Sequence, residues 1–208
     1  NPPAPRLTPI SRELFRRVGA KVSGMEGFAL RRLNNPVVWL FADGLLQQEP
    51  WAAAMTRDTL SLTQLDAGTR PNVIPERAEA VLDCRLLPDT KPDAFLAALR
   101  DTIDDTEVQI DVLQAPLATP PSPTDTPLFL AMRRAARAVY PDVVVTESMT
   151  LGGTDSRFFR RRGVPAYGFF PVLLTKQDTA SIHGVDERLP VAALGDAVRV
   201  IYDALRTL

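Results

Sequence analysis

The chain has 208 residues, with 24 Lys+Arg against 25 Asp+Glu, one His, one Cys and 19 Pro, at 45% hydrophobic and 24% charged content. That is the composition of an ordinary globular protein; it excludes disorder as the main state, and the length suits one domain or two small ones. A formal charge of −1 provides no global field for nucleic acid or anionic lipid, and the apolar run Val37–Ala42 is far short of the ~20 residues that span a bilayer. Basic clusters such as Arg31-Arg32 and Arg160-Arg161-Arg162 are balanced by acidic stretches and read as solvated surface. One Cys rules out an internal disulfide and a Cys-rich zinc site. No leader is visible, but the chain starts at Asn1 rather than Met, so the compartment stays open, with the cytoplasm the better fit.

Residues 6–18 suit a short helix with Pro9 in its first turn. Residues 24–55 are apolar but irregular and receive no element. Segment 57–67 is strand-like and ends at Gly68. Segment 77–87 alternates: Ala78, Ala80, Leu82, Cys84 and Leu86 point one way, Glu79, Val81, Asp83 and Arg85 the other. Cys84 on the apolar face reads as an inert core thiol. Thr90-Lys-Pro-Asp93 has capping-box spacing ahead of a helix that carries Phe95, Leu96, Leu99 and Ile103 on one stripe. A last strand is expected at Val108, Ile110 and Val112. Two helices and at least three strands in this order predict an α+β unit, a small antiparallel sheet covered on one face by helices.

Pro116, Pro120, Pro121, Pro123 and Pro127 fall within twelve residues. Such a stretch reads as an extended linker and divides the chain into 1–114 and 115–208. The second part reads as α/β. A helix opens at Pro127, followed by a β-branched strand at Val143–Thr146, a Gly152-Gly153 turn and a short helix over 154–162. An apolar strand from Val164 to Phe170 comes next, and Pro190 opens a closing helix.

Three sets of residues bear chemistry. In Leu151-Gly-Gly-Thr-Asp155, Gly152 and Gly153 permit a close backbone approach, while Thr154 or Asp155 can cap the following helix; a structural turn and a ligand cradle both remain open. His183 lies beside Asp186 and Glu187, which could support a metal ligand, but a zinc site needs three or more donors and there is no second His. Asn72 and Arg85 can hold a carboxylate. Thirteen extended residues would separate them by about 40 Å, so either the chain bends near Pro75 or the two act in different sites or subunits.

The order of these segments narrows the reading. Gly68-Thr-Arg-Pro-Asn72-Val-Ile-Pro75 and Ala78-Glu-Ala-Val-Leu-Asp83-Cys-Arg85-Leu-Leu-Pro88 resemble the lid (dimerisation) domain of a zinc-dependent amidohydrolase family. That family includes aminoacylase, acetylornithine deacetylase, succinyl-diaminopimelate desuccinylase and carboxypeptidase S. Gly152-Gly-Thr-Asp-Ser-Arg157-Phe-Phe and Ile182-His-Gly-Val-Asp-Glu-Arg188 resemble two C-terminal motifs of its catalytic domain, in wording closest to the carboxypeptidase S branch.

The resemblance implies a lid domain over 1–114 and the C-terminal part of an α/β zinc-hydrolase domain over 115–208. It implies His183 as a zinc ligand, Asn72 and Arg85 as substrate contacts, and Gly152, Gly153 and Thr154 as pocket lining. In such enzymes two zinc ions activate a bridging water and a glutamate serves as general base. The family's His-x-Asp motif and Glu-Glu pair have no counterpart here. The chain is therefore expected to be a catalytically inert part of an enzyme for N-acyl amino acids or small peptides with a free carboxylate. Homodimerisation through the lid is expected, with no nucleic-acid or membrane partner. The alternatives are a non-catalytic dimerisation or scaffold domain, and a small-anion binder at the Gly152-Gly153 turn.

Overall fold

The computed structural model describes residues 4–115 and 119–208; Pro116 lies outside them. Proline placement explains much of the helical layout. Helices α1 (Pro9–Gly19), α3 (Pro36–Leu46), α4 (Pro50–Ala54), α5 (Pro92–Ile103) and α6 (Pro127–Val139) each begin on a proline, whose missing N–H and fixed φ suit the first helical position. Thr8 and Ser11 close a capping box on α1. The Asn35 carboxamide oxygen accepts from Val37 and Val38 at the head of α3, and Thr126 accepts from Phe129 at the head of α6. The others are α2 (Gly24–Arg31), α7 (Ser156–Arg161), α8 (Lys176–Ala180) and α9 (Val191–Arg206).

The residues fall into two compact units, one formed by the chain up to 120 together with 148–153, the other by 121–147 with 154–208. In the first, Leu14, Phe15, Leu33, Ala42, Leu46, Ala52 and Met55 form a helical core, against which Met149 packs. Helices α1 and α2 meet at glycines: a β-carbon on Gly19 would lie 2.7 Å from the Leu30 β-carbon, and one on Gly27 would lie 3.0 Å from the Gly19 carbonyl oxygen and 1.8 Å from that of Val22 in the connecting loop. The same unit holds an antiparallel hairpin of β1 (Thr59–Ala67) and β2 (Ala78–Arg85). Thr63 is an extra residue in β1: Leu62 pairs with Leu82 and Gln64 with Val81. Because strand side chains alternate, this bulge resets the parity and returns Leu65 to the face of Leu60 and Leu62. Thr59, Ser61, Asp83 and Arg85 share the opposite face at the open end of the hairpin.

In the second unit α6 and α9 pack face to face around Met132, Ala135, Ala136, Val200 and Ala204. Its proline-rich entry is tied down rather than free. Ser122 Oγ accepts from Ala166 N at 2.9 Å and donates to Ala166 O at 2.8 Å, and Tyr167 Oη donates to the Pro123 carbonyl.

Several expectations are corrected. The sheet has two strands among the described residues, not three or more, and segments 108–112, 143–146 and 164–170 are not strands. Their β-branched and apolar residues suit a pleat, but a strand exists only where a second backbone completes the ladder. Residues 24–55 form α2, α3 and α4, so the first part is richer in helix than two helices. Thr90 does not cap α5; the N-cap is Lys91, without a side-chain bond. Thr90 Oγ1 instead donates to Asp58 Oδ1 at 2.6 Å, because a buried carboxylate is the stronger acceptor.

Candidate functional site

Arg85 closes β2, paired with Thr59. Two residues earlier on the same face, Asp83 accepts from Arg85 Nε at 2.8 Å and from Nη2 at 2.7 Å, both on Oδ2. Arg85 Nη1 lies 4.0 Å from where a β-carbon on Gly152 would sit. The structure therefore brings Arg85 and the glycine turn together. The segment 148–153 is held in this unit by Met149, whose sulfur is 4.0 Å from the Thr8 hydroxyl and which packs on the helical core. Gly152 puts no side-chain atom of its own beside the guanidinium.

Behind this pair, Asp58 is buried at 4% exposure. Its Oδ1 accepts from Leu87 N at 2.7 Å and from Thr90 Oγ1 at 2.6 Å, while Oδ2 faces Arg6 Nη1 at 3.1 Å. Arg6 also reaches Asp89 at 2.9 Å, and its guanidinium donates to the Thr90 hydroxyl. This network ties the start of β1 to the chain leaving β2, and so fixes the end of the hairpin that carries Arg85.

Asn72 is not brought to Arg85. It sits in the exposed hairpin connection, in a turn where Val73 N donates to Arg70 O at 3.4 Å; Pro71 takes the second turn position that its φ suits. The chain does bend between β1 and β2, yet Arg85 is at the other end of the hairpin. Seven steps from Ala78 to Arg85 span about 23 Å of strand. Cys84 is half-buried on the opposite face, and its thiol is pushed up by burial and then by the Asp83 charge, which disfavours the thiolate and agrees with an inert thiol.

In the second unit, Thr154 precedes α7, whose N-cap is Asp155 without a side-chain bond, so neither hydroxyl nor carboxylate caps the helix as expected. His183 is exposed on a short loop and has φ 61°; Asp186 on the same loop has φ 62°. The loop is clasped at its neck. Ser181 Oγ donates to Asp178 O at 2.7 Å and accepts from Arg188 N at 3.4 Å, while Arg188 Nε faces Asp178 Oδ1 at 3.6 Å. Asp178 is buried and closes a capping box with Thr175 on α8. The Thr175 hydroxyl and N–H hold the Asp178 carboxyl below the usual carboxylate range, aided by Arg188. Two left-handed non-glycine residues persist because that clasp over-determines the backbone. His183 N donates to Glu187 Oε2 at 3.3 Å.

Among the described residues no group of three or more His, Cys, Asp or Glu side chains converges as a metal cluster. The described residues do not by themselves fit a complete zinc site. Sequence reading missed Asp83, Asp58 and Asp178; the signals were the two-residue spacing to Arg85 for the first and Thr175-x-x-Asp178 for the last.

The model of peptidase family M20/M25/M40 matches residues 15–207. The chain belongs to this family. It is similar to human N-fatty-acyl-amino acid synthase/hydrolase PM20D1, 33% identical over 180 residues, covering 84% of this chain and 36% of that protein. It is similar to the probable carboxypeptidase S-like 2 of Dictyostelium discoideum, 29% identical over 210 residues, 99% of this chain and 39% of the relative. Human aminoacylase-1 is 30% identical over 148 residues, 69% of this chain and 35% of the relative. The chain thus spans about a third of the length of the curated relatives it matches. No solved structure matches it. The matched relatives are named as hydrolases, a carboxypeptidase and an aminoacylase, and no helix among the described residues is long and apolar enough to cross a membrane.

Proposed function

We propose that the chain contributes the lid, over 1–114, and the C-terminal part of the catalytic domain, over 115–208, of a zinc-dependent amidohydrolase. Its substrates are N-acyl amino acids or small peptides with a free carboxylate. The observation that carries this reading is the Arg85 guanidinium beside Gly152: a planar fork facing a turn without side chains suits a carboxylate. Gly153 extends that turn as pocket lining. His183 offers one imidazole nitrogen to a zinc whose other ligands are not among the described residues.

Asn72 and Arg85, at opposite ends of one hairpin, cannot both touch a small substrate within one copy. Their separation supports a homodimer in which the Asn72 of one copy serves the site of the other. The 208-residue chain alone is inactive, lacking both a general base and the donors for a zinc pair. The test is zinc content and amide hydrolysis, measured in parallel on the complete gene product and on this chain. Zinc and activity in the former only are expected; correctly folded complete protein with neither refutes the reading.

The scaffold alternative draws on the exposed apolar face of the hairpin, where Leu60, Leu62 and Leu65 are 41%, 57% and 69% exposed. A second copy could cover such a face. Light scattering decides its premise, since a strictly monomeric species at high concentration removes it.

A further inference from the structure

We infer that Asp83 is a positioning residue that selects which edge of the Arg85 guanidinium meets the substrate carboxylate. The inference rests on the reading of Arg85 as the carboxylate-binding residue. A guanidinium carries five N–H groups arranged around a planar fork. One oxygen of Asp83 takes the side edge, accepting from Nε at 2.8 Å and from Nη2 at 2.7 Å. What remains is the end edge, two N–H groups on Nη1 and one on Nη2. Two of these are parallel, the arrangement that receives both oxygens of a carboxylate. Nη1 lies on the side of Gly152, 4.0 Å from the place a β-carbon would take. The occupied edge and the available edge are thus set by one strand-mate, and the available one includes Nη1, the nitrogen near Gly152.

Alternation on β2 puts both side chains on one face. The pair is about half exposed, Arg85 at 50% and Asp83 at 44%, so it adds little to folding stability. Its value lies in orientation: an unrestrained arginine must lose rotamer freedom when it grips a ligand, and an arginine already held by Asp83 loses less. Asp83 also opposes binding, because its negative charge is close to the incoming carboxylate. The two effects have opposite signs, so substitution separates them.

The experiment compares kcat and KM of the complete gene product with its Asp83→Ala, Asp83→Asn and Arg85→Ala variants. Each is assayed on one N-acyl amino acid and on the same compound with its carboxylate masked as an amide. Asp83→Ala is expected to raise KM for the free acid several-fold, up to about tenfold, the effect of ordering one rotamer-rich side chain, with kcat within about twofold of the parent. The masked substrate should be turned over equally by both. Asp83→Asn retains an oxygen that can accept from Nε and Nη2, and should recover part of the loss; it also serves if the alanine variant fails to fold. A KM that is unchanged or falls in Asp83→Ala, while Arg85→Ala raises it, overturns the positioning role and leaves the reading of Arg85 intact. A KM unmoved by Arg85→Ala overturns that reading itself.

Discussion

Replacing Asp58 with Ala should destabilise the first unit by about 3–5 kcal/mol, most of it from hydrogen bonds lost by buried donors. The magnitude can be built from the contacts. The buried Leu87 N–H loses an ionic acceptor at 2.7 Å, about 1.5–3 kcal/mol. The Thr90 hydroxyl loses a bond of 2.6 Å, about 1 kcal/mol. The ion pair with Arg6 adds less than the burial of Asp58 alone would suggest, because the arginine side chain is 36% exposed; screened in this way it contributes about 0.5–1 kcal/mol. Asp58→Asn preserves an oxygen for Leu87 and Thr90 and gives up only the charge, so about 1–2 kcal/mol is expected.

Urea unfolding of the 208-residue chain, followed by tryptophan fluorescence, measures both variants. Its two tryptophans are in the first unit, Trp51 with its ring 5.7 Å from that of Phe15 and Trp39 packed on the same core. The signal therefore reports the unit that contains Asp58, even if the other unfolds separately. A shift below about 1 kcal/mol for Asp58→Ala would refute the argument that this carboxylate holds the hairpin end together. Equal losses for Ala and Asn would refute the division between hydrogen bonds and charge.

Two glycines give opposite expectations by the same assay. Gly27→Ala sets a β-carbon 1.8 Å from the Val22 oxygen, so the backbone of the α1–α2 connection must move, with a loss of about 3 kcal/mol or more. Gly44→Ala, in the interior of α3 with nothing within 4 Å, should instead gain about 0.5–1 kcal/mol from helix propensity; a reversed order would contradict the packing described. Glu13 is lowered from 4.5 to about 2, first by the hydrogen bond from Arg16, with Arg17 adding and burial opposing. A depressed carboxylate stabilises the fold fully above about pH 4.5, and that contribution fades as pH falls toward 2. The native chain should therefore lose stability across this window more steeply than Glu13→Gln, with the difference shrinking in high salt; parallel curves would show that the arginines do not act through this carboxylate.

Elements bounded by their own residues were legible in the sequence, and those requiring a distant partner were not. Helix α1 has Thr8, Pro9 and Ser11 at its head, and α5 has a stripe of Phe95, Leu96, Leu99 and Ile103 that is half-buried as its period predicts. Helix α3 shows no such period, since Pro36-Val-Val-Trp-Leu-Phe-Ala is apolar on every side; the Asn35-Pro36 cap was its only readable signal. Segments 108–112, 143–146 and 164–170 satisfy the local rule for strands, but no local rule supplies a neighbouring backbone. The bulge at Thr63 lies between these cases: Leu60, Leu62 and Leu65 break a strict alternation, and the extra residue is what reconciles them.

The candidate site divides along the same line. That Asp83 and Arg85 share a face follows from the strand period alone. That Gly152 lies beside them does not, because it depends on Met149 anchoring a segment more than sixty residues further along the chain. The case of Asn72 is the most instructive. A hairpin reverses direction between it and Arg85, which invites the conclusion that the bend brings them together. A reversal returns the chain to its starting end only after the full length of the second strand, and Arg85 is the residue that completes that return. The turn and the end of β2 are thus as far apart as the hairpin is long. On the proposed homodimer, this separation is what lets the tip of one copy's hairpin and the base of the other's converge on a single carboxylate.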